Sequence, residues 1–222
     1  MLAKNKVVKN AKWIIVCKVV QSLLQLVIGM LCARYLGPSN YGLINYAASI
    51  VAFVLPIMQL GLQSTLVQEF IDTPEKEGKI MGTSLVLDLL SGALCISMVA
   101  AFVGVVNRGE TETLIVAVLY SLSLIFRAFA LLQCWFQYKL QSKYPSIVML
   151  CAYVAVSCYR VFLLITSKDI YWFAVVNSLD FGIIGISLLI IYHKLGAQKL
   201  SFSFSLAKSL LSGTVMPIKE IS

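Results

Sequence analysis

Charge is scarce in this chain, and histidine is nearly absent. The 222 residues include 18 Lys and Arg, 10 Asp and Glu and one His, so charged residues make up 13%, against about 25% in ordinary globular proteins. General acid–base chemistry needs paired titratable side chains on a substantial loop, and no stretch between apolar runs exceeds roughly a dozen residues before His193. The lone His193 sits at the end of an apolar run, where an interfacial role is the plain reading. Cys-x-x-Cys and other metal-ligand spacings are missing. Cys17, Cys32, Cys95, Cys134, Cys151 and Cys158 fall inside or at the edges of apolar runs, as small packing residues do. No catalytic residue, metal site or cofactor is therefore expected, and the chain is not expected to be an enzyme. The alternating segments of about ten residues that mark a transmembrane β-barrel are also absent.

What the chain has instead is apolar length. Hydrophobic residues make up 59% and the mean hydropathy is +0.88. Such composition in long continuous runs describes an all-α polytopic membrane protein, because lipid offers no partner to irregular backbone. The net charge of +8 is spread over short loops and helix ends rather than over one basic surface, so no nucleic-acid partner is expected. The lysines before the first run resemble a signal peptide. That run is too long for an h-region and has no small-x-small cleavage site, so it reads as a retained span.

The organising stretch is Ala33-Arg34-Tyr35-Leu36-Gly37-Pro38-Ser39-Asn40-Tyr41-Gly42, a polar hinge between two runs that each exceed the roughly 20 residues needed to cross a bilayer. Gly37 can take φ > 0, Pro38 cannot continue the helix, and Ser39 or Asn40 can cap the next one. Six spans are predicted, at about 13–35, 41–67, 80–106, 114–136, 145–166 and 171–192. Residues 1–12 form a basic tail, 13–192 a six-helix lobe, and 193–222 a linker with the start of a seventh helix at 210–217 that breaks off. Lysine and arginine asymmetry places both ends in the cytoplasm, with Lys4, Lys6, Lys9, Lys12, Lys76, Lys79, Lys139, Lys143, Lys194, Lys199 and Lys208 inside. Arg108 and Lys168 fall outside, with Arg34 at the rim.

Each run carries a polar or small stripe at helical spacing. The stripes are Lys18, Ser22, Gln25, Gly29, Cys32; Asn45, Ser49, Ala52, Pro56, Gln59, Gln63; Ser84, Asp88, Ser91, Cys95; Tyr120, Ser123, Arg127; Tyr153, Ser157, Arg160; and Asn177, Asp180, Ser187. Helix–helix packing accounts for the serines, glycines and cysteines. Pro56 is expected to kink the second run. Ionisable groups at mid-membrane cost at least about 2.5 kcal/mol each and usually face a partner or a wet cavity. Lys18, Arg34 and Asp88 read either as snorkelling groups or as part of a pathway, and Arg127 either as half of an ion pair with Asp180 or as a binding group. The functional reading is a cationic track of Lys18, Arg127, Arg160 and Arg34 for an anion such as phosphate, which guanidinium binds bidentately. Asp88 and Asp180 are the candidates for a coupling Na⁺ or H⁺.

Four features resemble the polysaccharide flippase family, the O-antigen and lipid-linked oligosaccharide transporters of the multidrug/oligosaccharidyl-lipid/polysaccharide exporter superfamily. They are the basic start with Asn10 and Trp13, the Arg34-Tyr35-Leu36-Gly37-Pro38 hinge followed by Tyr41-Gly42, Leu60-Gly61-Leu62, and Gln133-Cys134-Trp135-Phe136-Gln137-Tyr138. The resemblance covers the N-terminal half of such a transporter, one lobe of two. It implies a multi-pass protein of the bacterial inner membrane that flips undecaprenyl-pyrophosphate-linked oligosaccharide, for O-antigen or another surface polysaccharide, by rocking of bundles. The partners it implies are the lipid-linked oligosaccharide, membrane lipids, a polysaccharide polymerase, and a second lobe or a homodimer. The family's positive cavity residues would correspond to Arg34, Arg127 and Arg160. With one lobe in the sequence, a truncated or fragmentary copy is expected. A non-transporting membrane assembly protein and a small-molecule exporter of the same superfamily remain as alternatives.

Overall fold

The computed structural model describes the backbone of residues 2–59, 61–196 and 198–215, and the side chains of 14–59, 61–63, 65–196, 198–208 and 210. The side chains of the basic tail, Leu60 of the Leu60-Gly61-Leu62 feature, and residues 216–222 of the expected seventh helix lie outside the described residues. All described secondary structure is helical. Five runs are long and apolar enough to cross a membrane: Ile14–Met58, Pro74–Val106, Thr111–Tyr138, Lys143–Ile165 and Ile170–Lys194.

The five runs differ from the six expected because the first two join in helix α1, Leu2–Met58, whose one non-helical residue is Gly37 at φ 72, ψ 174. That backbone region is open essentially only to glycine. The helix resumes at Pro38, whose fixed φ and missing N–H suit a first helical position, so the expected cap at Ser39 or Asn40 is not used. Gly37 turns the chain back on itself. Gln25 and Ala48 line one cavity, although a straight helix would hold them about 34 Å apart. A Cβ on Gly29 would stand 3.9 Å from the Tyr41 hydroxyl.

The expected second run is interrupted after Met58. Leu62 N–H donates to Gln59 O at 2.9 Å, Gly61 takes φ 68, and helix α2 spans Leu62–Asp72. Leu62, Leu66 and Phe70 on its inner face are fully buried, while Gln63, Gln68 and Asp72 face outward. This amphipathic pattern separates Leu62–Val67 from the expected second span and carries helix on through Gln68–Asp72, expected as the start of a charged loop. A 3₁₀ turn, Pro74–Lys76, leads into α3, Glu77–Val106.

The fourth run is also uneven. It consists of α4 (Thr111–Ser121), α5 (Ser123–Arg127), a 3₁₀ turn (Ala128–Leu131) and α6 (Leu132–Tyr138). Ser121 Oγ donates to Val118 O at 2.8 Å, a back-bond that competes with the helical ladder and bends it. Helix α7 covers Lys143–Ile165 and α8 Ile170–Lys194. The chain closes with α9, Phe204–Val215, which begins six residues before Leu210 and packs on α2 and α3.

The core falls into three clusters. One, near the α2–α3 corner, centres on Phe70, Met81, Trp135, Phe136 and Tyr192, with the Trp135 and Tyr192 rings 4.8 Å apart, edge to face. A second joins Val51, Met58, Cys95, Val99, Val116 and Leu124. A third joins Ile28, Cys32, Leu36, Val156, Phe173 and Val176, and ties the hinge to α7 and α8. Outward-facing Leu23, Phe53, Leu94, Phe102 and Ile165 are exposed, as lipid-facing positions are in a protein taken without its bilayer.

Candidate functional site

A cavity of about 210 Å³ opens between the two arms of α1 and the facing helices. Gln25, Gly29 and Cys32 of the first arm, Tyr41 and Asn45 of the second, Tyr120, Arg160 and Asn177 line it. Three members of the first stripe thus face the cavity, while Lys18 and Ser22 of the same stripe are exposed. Asn45 Nδ2 donates to Tyr41 O at 2.8 Å, which fixes the amide on the wall.

Arg160 belongs to a wider charged group. Arg160 and Arg127 both act electrostatically on Asp180 and on Tyr120, so α4, α5, α7 and α8 bring four groups of the fourth, fifth and sixth stripes into one field. The Arg127 guanidinium lies 4.0 Å from the Phe181 ring centroid, and Arg160 lies 5.9 Å from that of Tyr153. Arg127 Nε, Asp180 Oδ1 and Asn177 Nδ2 are buried without a hydrogen-bond partner among the protein groups, while the Tyr153 hydroxyl lies within reach of Ser157 and Arg160. The ion pair between Arg127 and Asp180 considered for the sequence is therefore not formed; Arg127 stacks on Phe181 instead. Phe181 had no signal in the sequence, being one apolar residue among many. The 3₁₀ turn directly after Arg127 is the kind of mid-helix irregularity that accompanies hinges and functional sites.

The other expected site residues are elsewhere. Lys18 is exposed and lines a separate cavity of about 200 Å³ with Gln133, Gln137 and Ser146. Arg34 is exposed at the hinge and lines neither cavity. Asp88 is buried in α3 with Oδ1 unpartnered, in electrostatic reach of Cys95. Among the described residues no three His, Cys, Asp or Glu side chains come together as metal ligands, and all six cysteines are free thiols.

Of these charged groups only Arg160 lines the cavity, with Tyr120 and Asn177 beside it; Arg127 and Asp180 lie behind the wall and act on it through the shared field. A sequence model of the polysaccharide biosynthesis protein family matches residues 7–221. The chain belongs to that family. No curated protein and no solved structure matches it. In this member of the polysaccharide biosynthesis family, the charged group sits on helices of membrane-spanning length.

Proposed function

We propose that this polysaccharide biosynthesis protein is a lobe of a flippase that moves undecaprenyl-pyrophosphate-linked oligosaccharide, an O-antigen or other surface polysaccharide unit, across the bacterial inner membrane, and that it is a transporter rather than an enzyme. The observation that carries the reading is the group formed by Arg127, Arg160, Asp180 and Tyr120, which share one field and present Arg160 and Tyr120 to a cavity within the lobe, with Arg127 Nε unpartnered behind them. A diphosphate offers acceptors to the guanidinium groups, and charge-assisted bonds of this kind are about twice as strong as neutral ones.

In this reading the fold-back at Gly37 makes two spans of α1, giving six in all with both ends cytoplasmic, and Gly37 stands at the outer face. A second copy of the chain or a partner protein supplies the facing lobe, and a polysaccharide polymerase consumes the product. Lys18 meets the substrate from the inner side and Arg34 releases it at the rim. Asp180, which shares the field of both arginines, and the isolated Asp88 are the coupling candidates for Na⁺ or H⁺.

Deletion of the gene is expected to abolish surface glycan and leave the lipid-linked unit trapped on the inner leaflet. Complementation with wild type restores export, and complementation with the Arg127→Gln, Arg160→Gln double variant at equal membrane abundance does not. Full export by that variant would remove the arginine pair from the substrate path.

A further inference from the structure

Among the residues that line the cavity between the arms of α1, Arg160 is the one charged side chain. Arg127 lies behind the wall, with its guanidinium 4.0 Å from the centroid of the Phe181 ring. Asp180, the residue before Phe181 on α8, is 8% exposed and feels the charge of Arg160 more strongly than that of Arg127. We propose that Arg127 is a stand-in counter-ion, which waits on Phe181 while the lobe is empty and turns to Asp180 when a diphosphate takes Arg160. This role rests on the flippase reading for the identity of the anion. It makes Arg127 a positioning residue that acts on the ligand through Asp180.

The need for a stand-in follows from the burial of Asp180. A carboxylate held among packed helices requires an opposite charge in reach, and taking that charge away is costly. Among the described residues Asp180 forms no ion pair, and its Oδ1 has no hydrogen-bond partner. It is held by the field of two arginines. A diphosphate carries more negative charge than one guanidinium can answer, so with Arg160 engaged Asp180 faces an anion where it had a cation. Arg127 is the other cation whose field already reaches it.

Three details fit a waiting position. An aromatic ring holds a guanidinium by its face and leaves the in-plane N–H donors unspent, and Arg127 Nε is buried without an acceptor. Such a contact is weak enough to be exchanged for a charge-assisted bond to a carboxylate. Asp180 and Phe181 are neighbours on α8, so Arg127 passes from one to the other by turning its own side chain, with no helix displaced. Helices α5 and α8 also approach closely at this level, since a Cβ on Gly182 would stand 3.5 Å from the Phe126 ring. Phe126 and Arg127 are consecutive, as are Phe181 and Gly182, so the same close approach seats the arginine on its ring. Arg127 ends α5, and the 3₁₀ turn Ala128–Leu131 follows it directly.

The test is a double-mutant cycle on the full chain in nanodiscs, read as affinity for undecaprenyl diphosphate. Arg127→Gln is expected to weaken binding about tenfold, because Asp180 is left without a replacement partner. Asp180→Asn removes the need for one, so Arg127→Gln added to it should change affinity by less than about twofold. A tenfold loss that persists on the Asp180→Asn background makes Arg127 a direct ligand contact and overturns the stand-in role. So does an Arg127→Gln variant that binds like wild type.

Phe181 supplies a second measurement that leaves its shape nearly unchanged. Phenylalanine carrying one, two or three ring fluorines has a progressively less negative face, and so a weaker hold on a cation. Binding should tighten in steps, by about threefold with three fluorines, because the ring competes with Asp180 for Arg127. A ring that serves packing alone gives no graded trend, and a ring that aims Arg127 at the ligand gives a graded loss; either result overturns the waiting position. Undecaprenyl diphosphate binding indifferent to Arg160→Gln overturns the flippase reading instead.

Discussion

The arginine group and the α2–α3 corner are both rich in polar atoms, and they treat them in opposite ways. At the corner, residues 198–203 lie as a strap over the first turns of α3. Gly78 N–H donates to Gln198 Oε1 at 3.2 Å, and Gln198 Nε2 donates to Pro74 O at 3.3 Å. Ser201 N–H donates to Gly78 O at 3.2 Å, Ser203 N–H to Thr83 Oγ1 at 3.0 Å, and Tyr192 OH to Gln198 O at 3.2 Å. Lys139 Nζ pairs with Glu77 Oε2 at 3.0 Å on the same corner. Ser84, Trp135 and Gln141 keep single unmatched atoms at or near this corner, and Glu77 Oε2 has the Lys139 ammonium alone, but the strap itself is tied along its length by the bonds above. In the arginine group the unmatched atoms gather in one place. They belong to charged and amide side chains, Arg127, Asp180 and Asn177, and an unpaired buried polar group costs roughly 1–3 kcal/mol.

That contrast breaks most sharply at the arginines. Arg127→Gln with Arg160→Gln is expected to weaken undecaprenyl diphosphate binding on the order of a hundredfold, because the charge-assisted contact at the cavity wall and the charge behind it are both lost. The melting midpoint should hold or rise as buried unpaired charge is removed; a collapse of the midpoint would make the pair structural. Gly82→Val tests the opposite end. A Cβ at Gly82 meets Ser201 O at 2.5 Å and Ser201 N at 2.7 Å, so the strap must lift, with an expected loss of about 1–3 kcal/mol in thermal unfolding and faster proteolysis at 198–203. Diphosphate affinity in the folded fraction should not move. Asp180→Asn removes the internal counter-charge and is expected to tighten anion binding by about tenfold while slowing release; weaker binding would show that Asp180 orients the arginines rather than competing with the ligand. Gln198→Ala, which removes two bonds at an exposed side chain, should cost only about 0.5–1.5 kcal/mol, read as a small fall in melting midpoint with binding intact.

Much of this architecture was legible in the chain. The hinge was marked by Gly37-Pro38, the apolar runs by their length, and the inward stripes by steps of three and four that place Gln25, Gly29, Asn45, Tyr120, Arg160 and Asn177 on one cavity. Three things were not legible. The break after Met58 and the 3₁₀ turn after Arg127 arise where tertiary packing and serine back-bonding override a continuous apolar pattern. The strap depends on Gly78 and Gly82 admitting a distant backbone, and glycine spacing in an apolar run looks the same whatever packs on it. Lys18 and Arg34 were grouped with Arg127 and Arg160 by charge and depth alone, and depth says nothing about azimuth: Lys18 opens on a separate cavity and Arg34 is exposed at the hinge.

The backbone angles at Gly37 also carry a statement about handedness. At φ 72, ψ 174 the residue occupies the mirror image of ordinary extended backbone, so the fold-back needs one residue of the opposite chirality or of none. In a ribosomal chain only glycine meets that condition. Gly37→Ala should cost about 1–3 kcal/mol in thermal unfolding and loosen the cavity that Leu36 lines between the two arms of α1. D-alanine at the same position, introduced by semisynthesis, should leave the hairpin intact and stiffen it, because its preferred angles are the ones the bend already uses.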